Sequence, residues 1–393
     1  MSRAAPASSA SAQSSAGLDP ALLVIIALLL GGGLIMLVSA SVALAERNTG
    51  DSLFYLERQL VAAVIGLIAA AAVLRIPTET WSRAGLMLPC LALVLLVMVL
   101  IPGLGYTVNG STRWLRVAGV NVQVAEPARL LLLAYIAGYS VRHAQALQNS
   151  IGGFIKPMLL VLAACVLLLV QPDFGSCAVL LIVAFAMLFV AGARWRDVLL
   201  LSGLAVIAGV LLIGTSAYRL GRITGFMDPW ADPYAKGFQL VQSLIAIGSG
   251  EWFGVGLGGG VQKLFYLPEA HTDFVFAVIA EEFGLVGSIT IILLFGALVW
   301  RGLQIARDSA ASGHLYQANL AFGIALWQGL QAFINIGVNM GALPTKGLPL
   351  PLISYGRSSL IITLIALALL LRIDWENRQP VPRKPRRRRA AAR

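Results

Sequence analysis

Charge is scarce in this sequence: Asp, Glu, Lys and Arg make up 12% of 393 residues, against 58% hydrophobic residues and a mean hydropathy of +0.83. Soluble domains average about a quarter charged, so a soluble globular protein is excluded and a polytopic membrane protein is indicated. Cysteine is scarcer still. Cys90, Cys165 and Cys177 all fall inside apolar runs, which leaves no basis for a disulfide framework or a zinc site. No internal repeat is visible, and no clustered carboxylate motif demands a metal. A divalent cation is left open as a cofactor. Gly254, Gly256 and Gly258 to Gly260 superficially resemble a dinucleotide-binding loop, but no βαβ unit surrounds them.

Long apolar runs dominate what is present. With about 20 apolar residues per span, ten candidates emerge: 20–44, 54–74, 82–101, 127–141, 157–171, 174–191, 197–217, 273–300, 315–340 and 352–371. The fifth is short and is separated from the sixth by Gln171-Pro172-Asp173 alone, a turn that suits a helical hairpin. The expected fold class is an all-α integral membrane protein of ten transmembrane helices. Residues 1–17, rich in Ser and Ala, are expected to be a disordered cytoplasmic leader before an uncleaved signal anchor. Residues 18–373 form the membrane domain and 374–393 a basic cytoplasmic tail.

Orientation follows from loop charge. The chain carries 29 Lys+Arg against 18 Asp+Glu. Placing both termini in the cytoplasm puts 18 of those 29 basic residues inside, among them Arg75, Arg83, Arg142, Arg194, Arg301 and the tail. The positive-inside rule favours that arrangement. The tail then meets anionic lipid rather than nucleic acid. Two outer segments are long, 102–126 and 218–272, the second lying before the eighth helix. Ordered long loops are usually functional, which puts the working face outside.

That face holds the polar groups that invite chemistry. Asp273 sits at the start of an apolar run, with Glu269 and His271 just before it and Glu281 and Glu282 within it. Ionisable groups at membrane depth are functional candidates by default, although a carboxylate at a helix start also serves as a capping group. Glu281, about 12 Å further along a helix, is better suited to a buried hydrogen bond or ion pair. Gln328, Gln331, Asn335 and Asn339 share one face of the ninth span, which must therefore meet either protein or a water-filled groove. Lys346 follows in a loop framed by Pro344, Pro349 and Pro351.

Four segments carry a family resemblance: NGSTRWL (109–115), GFQLVQSLIAIGSGEWFGVGLGGGVQK (237–263), YLPEAHTDFVFAVIAEEFG (266–284) and ALPTKGLPLPLISYG (342–356). Long and in register, they resemble the SEDS family of shape, elongation, division and sporulation polymerases. The wording PEAHTDF, and Thr-Lys-Gly after Pro344, is closer to the division branch than to the elongation branch. Arg357 departs from the family pattern, which commonly has glycine there, and Glu126 is expected to pair with Arg357 or with Arg129.

The resemblance implies a ten-helix glycosyltransferase of the bacterial cytoplasmic membrane, acting at the septum. Its substrate would be lipid II, polymerised into peptidoglycan glycan strands. Its partners would be a class B penicillin-binding protein transpeptidase, other division-complex membrane proteins and membrane lipid. By similarity Asp273 is the catalytic residue and Lys346 the outer-loop lysine. Arg219, Arg222, Lys263 and Arg113 are further candidate cations for the pyrophosphate, and Glu269 and His271 candidate orienting or sugar-binding groups. A lipid II transporter and a noncatalytic division scaffold are the competing classes. Polar groups within helices suit a carrier, whereas motif-dense segments at one membrane face suit surface chemistry.

Overall fold

Helix starts are written locally. In the computed structural model, which describes residues 17–108, 111–117, 120–215, 221, 224–235, 237–344 and 347–379, Asp19 accepts a hydrogen bond from the Ala21 amide, with Pro20 in the first turn. A capping carboxylate followed by proline fixes a helix N-terminus, and α1 runs Pro20–Thr49 until Gly50 turns left-handed at φ 71°. Then come α2 (Phe54–Leu74), α3 (Thr78–Arg83), α4 (Met87–Met98), α5 (Ala125–Arg142), α6 (Ala144–Asn149), α7 (Ile151–Val170), α8 (Phe174–Val190), α9 (Trp195–Gly214) and α10 (Phe238–Ser249). Three long helices finish the described chain: α11 (Val275–Ala311), α12 (Leu315–Asn339) and α13 (Arg357–Arg378).

Seven of these, α1, α2, α7, α9, α11, α12 and α13, are long and apolar enough to cross a membrane; α4, α8 and α10 are shorter apolar helices. Every one of the ten predicted runs overlaps a helix. The weak fifth run is a full helix, because Ser150 caps α7 by accepting from the Gly153 amide and so starts it six residues earlier than expected. At the other end, α13 continues through residues assigned to the tail.

One expectation needs correcting. Residues 102–126 are not plain loop, and the fold is not wholly helical. Strands β1 (Gly105–Val108), β2 (Ser111–Val117) and β3 (Val120–Gln123) form an antiparallel sheet in the order β1-β2-β3, with Tyr106 opposite Trp114 and Trp114 opposite Gln123. Thr, Tyr, Trp and Val at these positions favour a pleated, half-buried surface. Asn109 and Gly110 lie outside the described residues.

The core forms where α11 packs along α12 and α2 along α13. Within α11 the helix is broken at Gly284 (φ 63°, ψ −156°). Residues 251–256 fill the break with their own backbone. Val255 and Gly256 amides donate to the carbonyls of Glu281 and Glu282 at 3.0 Å each, and Leu285 and Val286 amides donate to the carbonyls of Glu251 and Trp252 at 2.9 and 3.2 Å. The glycine-rich stretch thus patches a helix. A Cβ at Gly284 would stand 2.5 Å from the Gly254 nitrogen, in a backbone conformation only glycine adopts readily. Gly284→Ala is therefore expected to destabilise the protein by about 3 kcal/mol, seen as a lowered unfolding midpoint in detergent. An unchanged midpoint would remove the role given to this break.

Candidate active site

Asp273 lies in the turn leading into α11, two residues before its first helical residue. Its carbonyl oxygen accepts from Asn335 Nδ2 (2.9 Å) and Asn339 Nδ2 (3.0 Å) on α12. Asn335 Nδ2 also donates to the Leu348 carbonyl (2.8 Å), Gln331 Nε2 donates to the Pro349 carbonyl (3.0 Å), and Asn339 Oδ1 accepts from the Ala277 amide (3.1 Å). These three members of the polar stripe therefore meet protein. Their effect is to hold the Asp273 turn and the 348–349 segment against one helix. Gly347 closes the arrangement, since a Cβ there would stand 2.9 Å from Asp273 Oδ2.

His271 is buried beside this turn, its ring 4.7 Å from that of Tyr55 and 5.6 Å from that of Tyr355. Its carbonyl accepts from the Tyr355 amide at 2.9 Å. Gln59 ties α2 to the same loop by donating to the Ser354 carbonyl and accepting from the Gly356 amide. Burial pushes the His271 pKa below its usual 6.5, with the charge of Glu269 opposing, so the imidazole is neutral at pH 7. Glu269 is exposed and accepts from the Thr272 hydroxyl at 2.7 Å.

The candidate cations do not all gather here. Lys263 makes a buried ion pair with Glu282, and its ammonium also donates to the Ser39 hydroxyl (2.7 Å), which in turn donates to Glu282 (2.6 Å). Arg113 clamps the turn between α7 and α8 through the carbonyls of Gln171 and Pro172. Arg219, Arg222 and Lys346 lie outside the described residues. Glu281 accepts from the amides of Val261 and Gln262 at 2.8 and 3.2 Å, the buried hydrogen bonding expected of it. Glu126 does pair with Arg129, at 3.6 Å. The pair is buried, and Arg129 reaches Gln331 Oε1 at 3.1 Å, tying α5 to the stripe.

Sequence reasoning missed Asp173, buried at the head of α8, which accepts from the Ser176 amide and hydroxyl and from Gln123 Nε2 (3.2 Å). The signal was an Asp three residues before a Ser at a helix start. Tyr55, Gln59 and Tyr355 were missed for want of any local signal. Among the described residues no group of three or more His, Cys, Asp or Glu side chains is arranged to hold a metal.

A bundle of apolar helices, with an aspartate turn at the head of one held by buried side-chain amides on the next, defines a multi-pass membrane protein. The chain belongs to the cell cycle protein family FTSW_RODA_SPOVE, which it matches over residues 20–379. It is 52% identical over 365 residues to a probable peptidoglycan glycosyltransferase FtsW of Thioalkalivibrio sulfidiphilus, covering 93% of this chain and 91% of that one. A protein of the same description from Alkalilimnicola ehrlichii is 54% identical over 372 residues, covering 93% and 92%. Among solved structures, a chain of a peptidoglycan synthase complex that coordinates polymerization and crosslinking matches at TM-score 0.73 and 31% identity, covering 93% of this chain and 99% of that one. The rod shape determining protein RodA of Thermus thermophilus matches at 0.68 and 30%, with the same coverage.

The depressed pKa of His271 sets a sign for pH dependence. Just below pH 6.5 the folded state binds fewer protons than the unfolded chain, so stability falls as pH is lowered through that window. His271→Asn, which cannot protonate, is expected to flatten this slope in unfolding midpoints recorded across pH; an unaltered slope would discard His271 as its source.

Proposed function

We infer that the protein is a peptidoglycan glycosyltransferase of cell division, joining lipid II units into glycan strands at the outer face of the bacterial cytoplasmic membrane. The observation that carries this reading is the fixed Asp273 turn, held together with the 347–349 segment by the α12 amides. In the reaction, the acceptor sugar hydroxyl attacks the anomeric carbon of the donor sugar. The new glycosidic bond forms as the bond to pyrophosphate breaks, and that electron pair leaves with the lipid pyrophosphate. Asp273 takes the hydroxyl proton, a role that requires a carboxylate within hydrogen-bond reach.

Cations offset the charge on the departing pyrophosphate. Lys346 is the first choice, since it adjoins Gly347, where a Cβ would stand 2.9 Å from Asp273 Oδ2; Arg219 and Arg222 are further candidates. Lys263 and Arg113 suit structural roles better, because their charged ends are engaged elsewhere. The neutral His271, shielded by two tyrosines, shapes the turn rather than carrying charge. Ten spans with both termini cytoplasmic fit the positive-inside distribution. A class B penicillin-binding protein is the proposed partner, supported by likeness to a synthase complex in which polymerization and crosslinking are coordinated. The carrier reading is weaker, because Gln331, Asn335 and Asn339 are spent on protein contacts.

The test uses full-length protein with its transpeptidase partner and labelled lipid II. Asp273→Asn is expected to lower the polymerisation rate by about 10²- to 10⁴-fold while lipid II binding is retained. Wild-type rates in that variant would overturn Asp273 as base, and an inactive wild type would overturn the polymerase itself.

A further inference from the structure

Beside the aromatic cluster around His271, α2 and α13 leave a groove between them. It encloses about 200 Å³ and is lined by Glu57, Arg58, Val61, Ala62, Ile65, Arg357 and Ile361. Its lower end closes where the two helices touch. At Gly66 a Cβ would stand 2.7 Å from Leu364 Cδ1 and 3.2 Å from Ile361 Cα. The floor is aliphatic and open to the lipid side, with Val61 58% and Ile65 44% exposed. At the upper rim stand two guanidinium groups. Arg58 lies over the Phe54 ring at 3.9 Å, and neither Arg58 nor Arg357 has a carboxylate within ion-pair distance among the described residues. Glu57 is exposed at the same rim, so the two arginines outweigh it by one charge.

Unpaired guanidinium groups above an aliphatic slot at a membrane surface call for an anion that carries a hydrocarbon chain. Arginine forks match phosphate oxygens in pairs. From Arg58 to Ile65 the slot runs about 10 Å along α2 at 1.5 Å per residue, which stays within one leaflet of a core some 30 Å thick. That depth suits an acyl chain of a leaflet lipid rather than a much longer polyprenyl chain. We propose that this groove is a binding site for an anionic glycerophospholipid, with Arg58 and Arg357 on its phosphate and one acyl chain along Val61, Ala62, Ile65 and Ile361. The site is independent of the chemistry assigned to Asp273, so its loss and the loss of polymerisation are separate outcomes.

Native mass spectrometry of the full-length protein in detergent, titrated with phosphatidylglycerol or phosphatidylcholine, tests this. Wild type is expected to retain phosphatidylglycerol preferentially. Each arginine near a charged lipid surface is worth roughly fivefold, so Arg58→Gln and Arg357→Gly should each lower that retention about fivefold, leaving phosphatidylcholine unaffected. Glu57→Gln should raise it. Equal retention of the two lipids by wild type would overturn the proposal without any variant being needed. Full phosphatidylglycerol retention in the double variant would also overturn it. So would displacement of phosphatidylglycerol by an equal concentration of undecaprenyl diphosphate, which would assign the groove to the polyprenyl lipid instead.

Discussion

A single backbone carbonyl, that of Asp273, accepts two side-chain amides from α12, and the surroundings of the candidate site follow from that contact. A helix entering a membrane leaves its first amides and the preceding turn without intrahelical partners, and lipid offers none. The stripe on α12 supplies them. Because Asn335 serves both the Asp273 turn and Leu348, the carboxylate and the segment after Lys346 are placed by the same side chain. The backbone of the turn is thus held by side-chain amides of α12.

The same constraint explains the broken helix. A left-handed residue in the middle of α11 frees backbone groups on both sides, and residues 251–256 answer them one for one. Glycine there is a geometric need, since Gly254 would place a Cβ 2.1 Å from the Glu282 carbonyl oxygen. The two glutamates complete the seal from above, Glu281 on backbone amides and Glu282 on Lys263. Lys263, expected among the cations for substrate, is part of this seal instead.

Much of this was legible from residues, and the limits have physical reasons. The ten apolar runs, Asp273 at a helix entrance, the one-faced stripe on α12 and the buried role of Glu281 all depend on local spacing, which sequence displays. The sheet in 102–126 was overlooked because its strands are only four to seven residues long, and short alternating runs resemble loop. Lys263 was placed among substrate cations because its partner Glu282 is 19 residues away and meets it only once α11 breaks. The ring cluster of Tyr55, His271 and Tyr355 joins residues from three distant segments. No periodicity could foretell it.

The Lys263–Glu282–Ser39 contact also bears on how the chain enters the membrane in the first place. Ser39 and Lys263 are 224 residues apart in sequence, so α1 is synthesised long before the lysine it holds. An isolated glutamate or ammonium at that depth is costly, whereas the two together neutralise one another. The polar partners of Ser39 come from residues 263 and 282, so this contact cannot form until the eighth apolar run has been made.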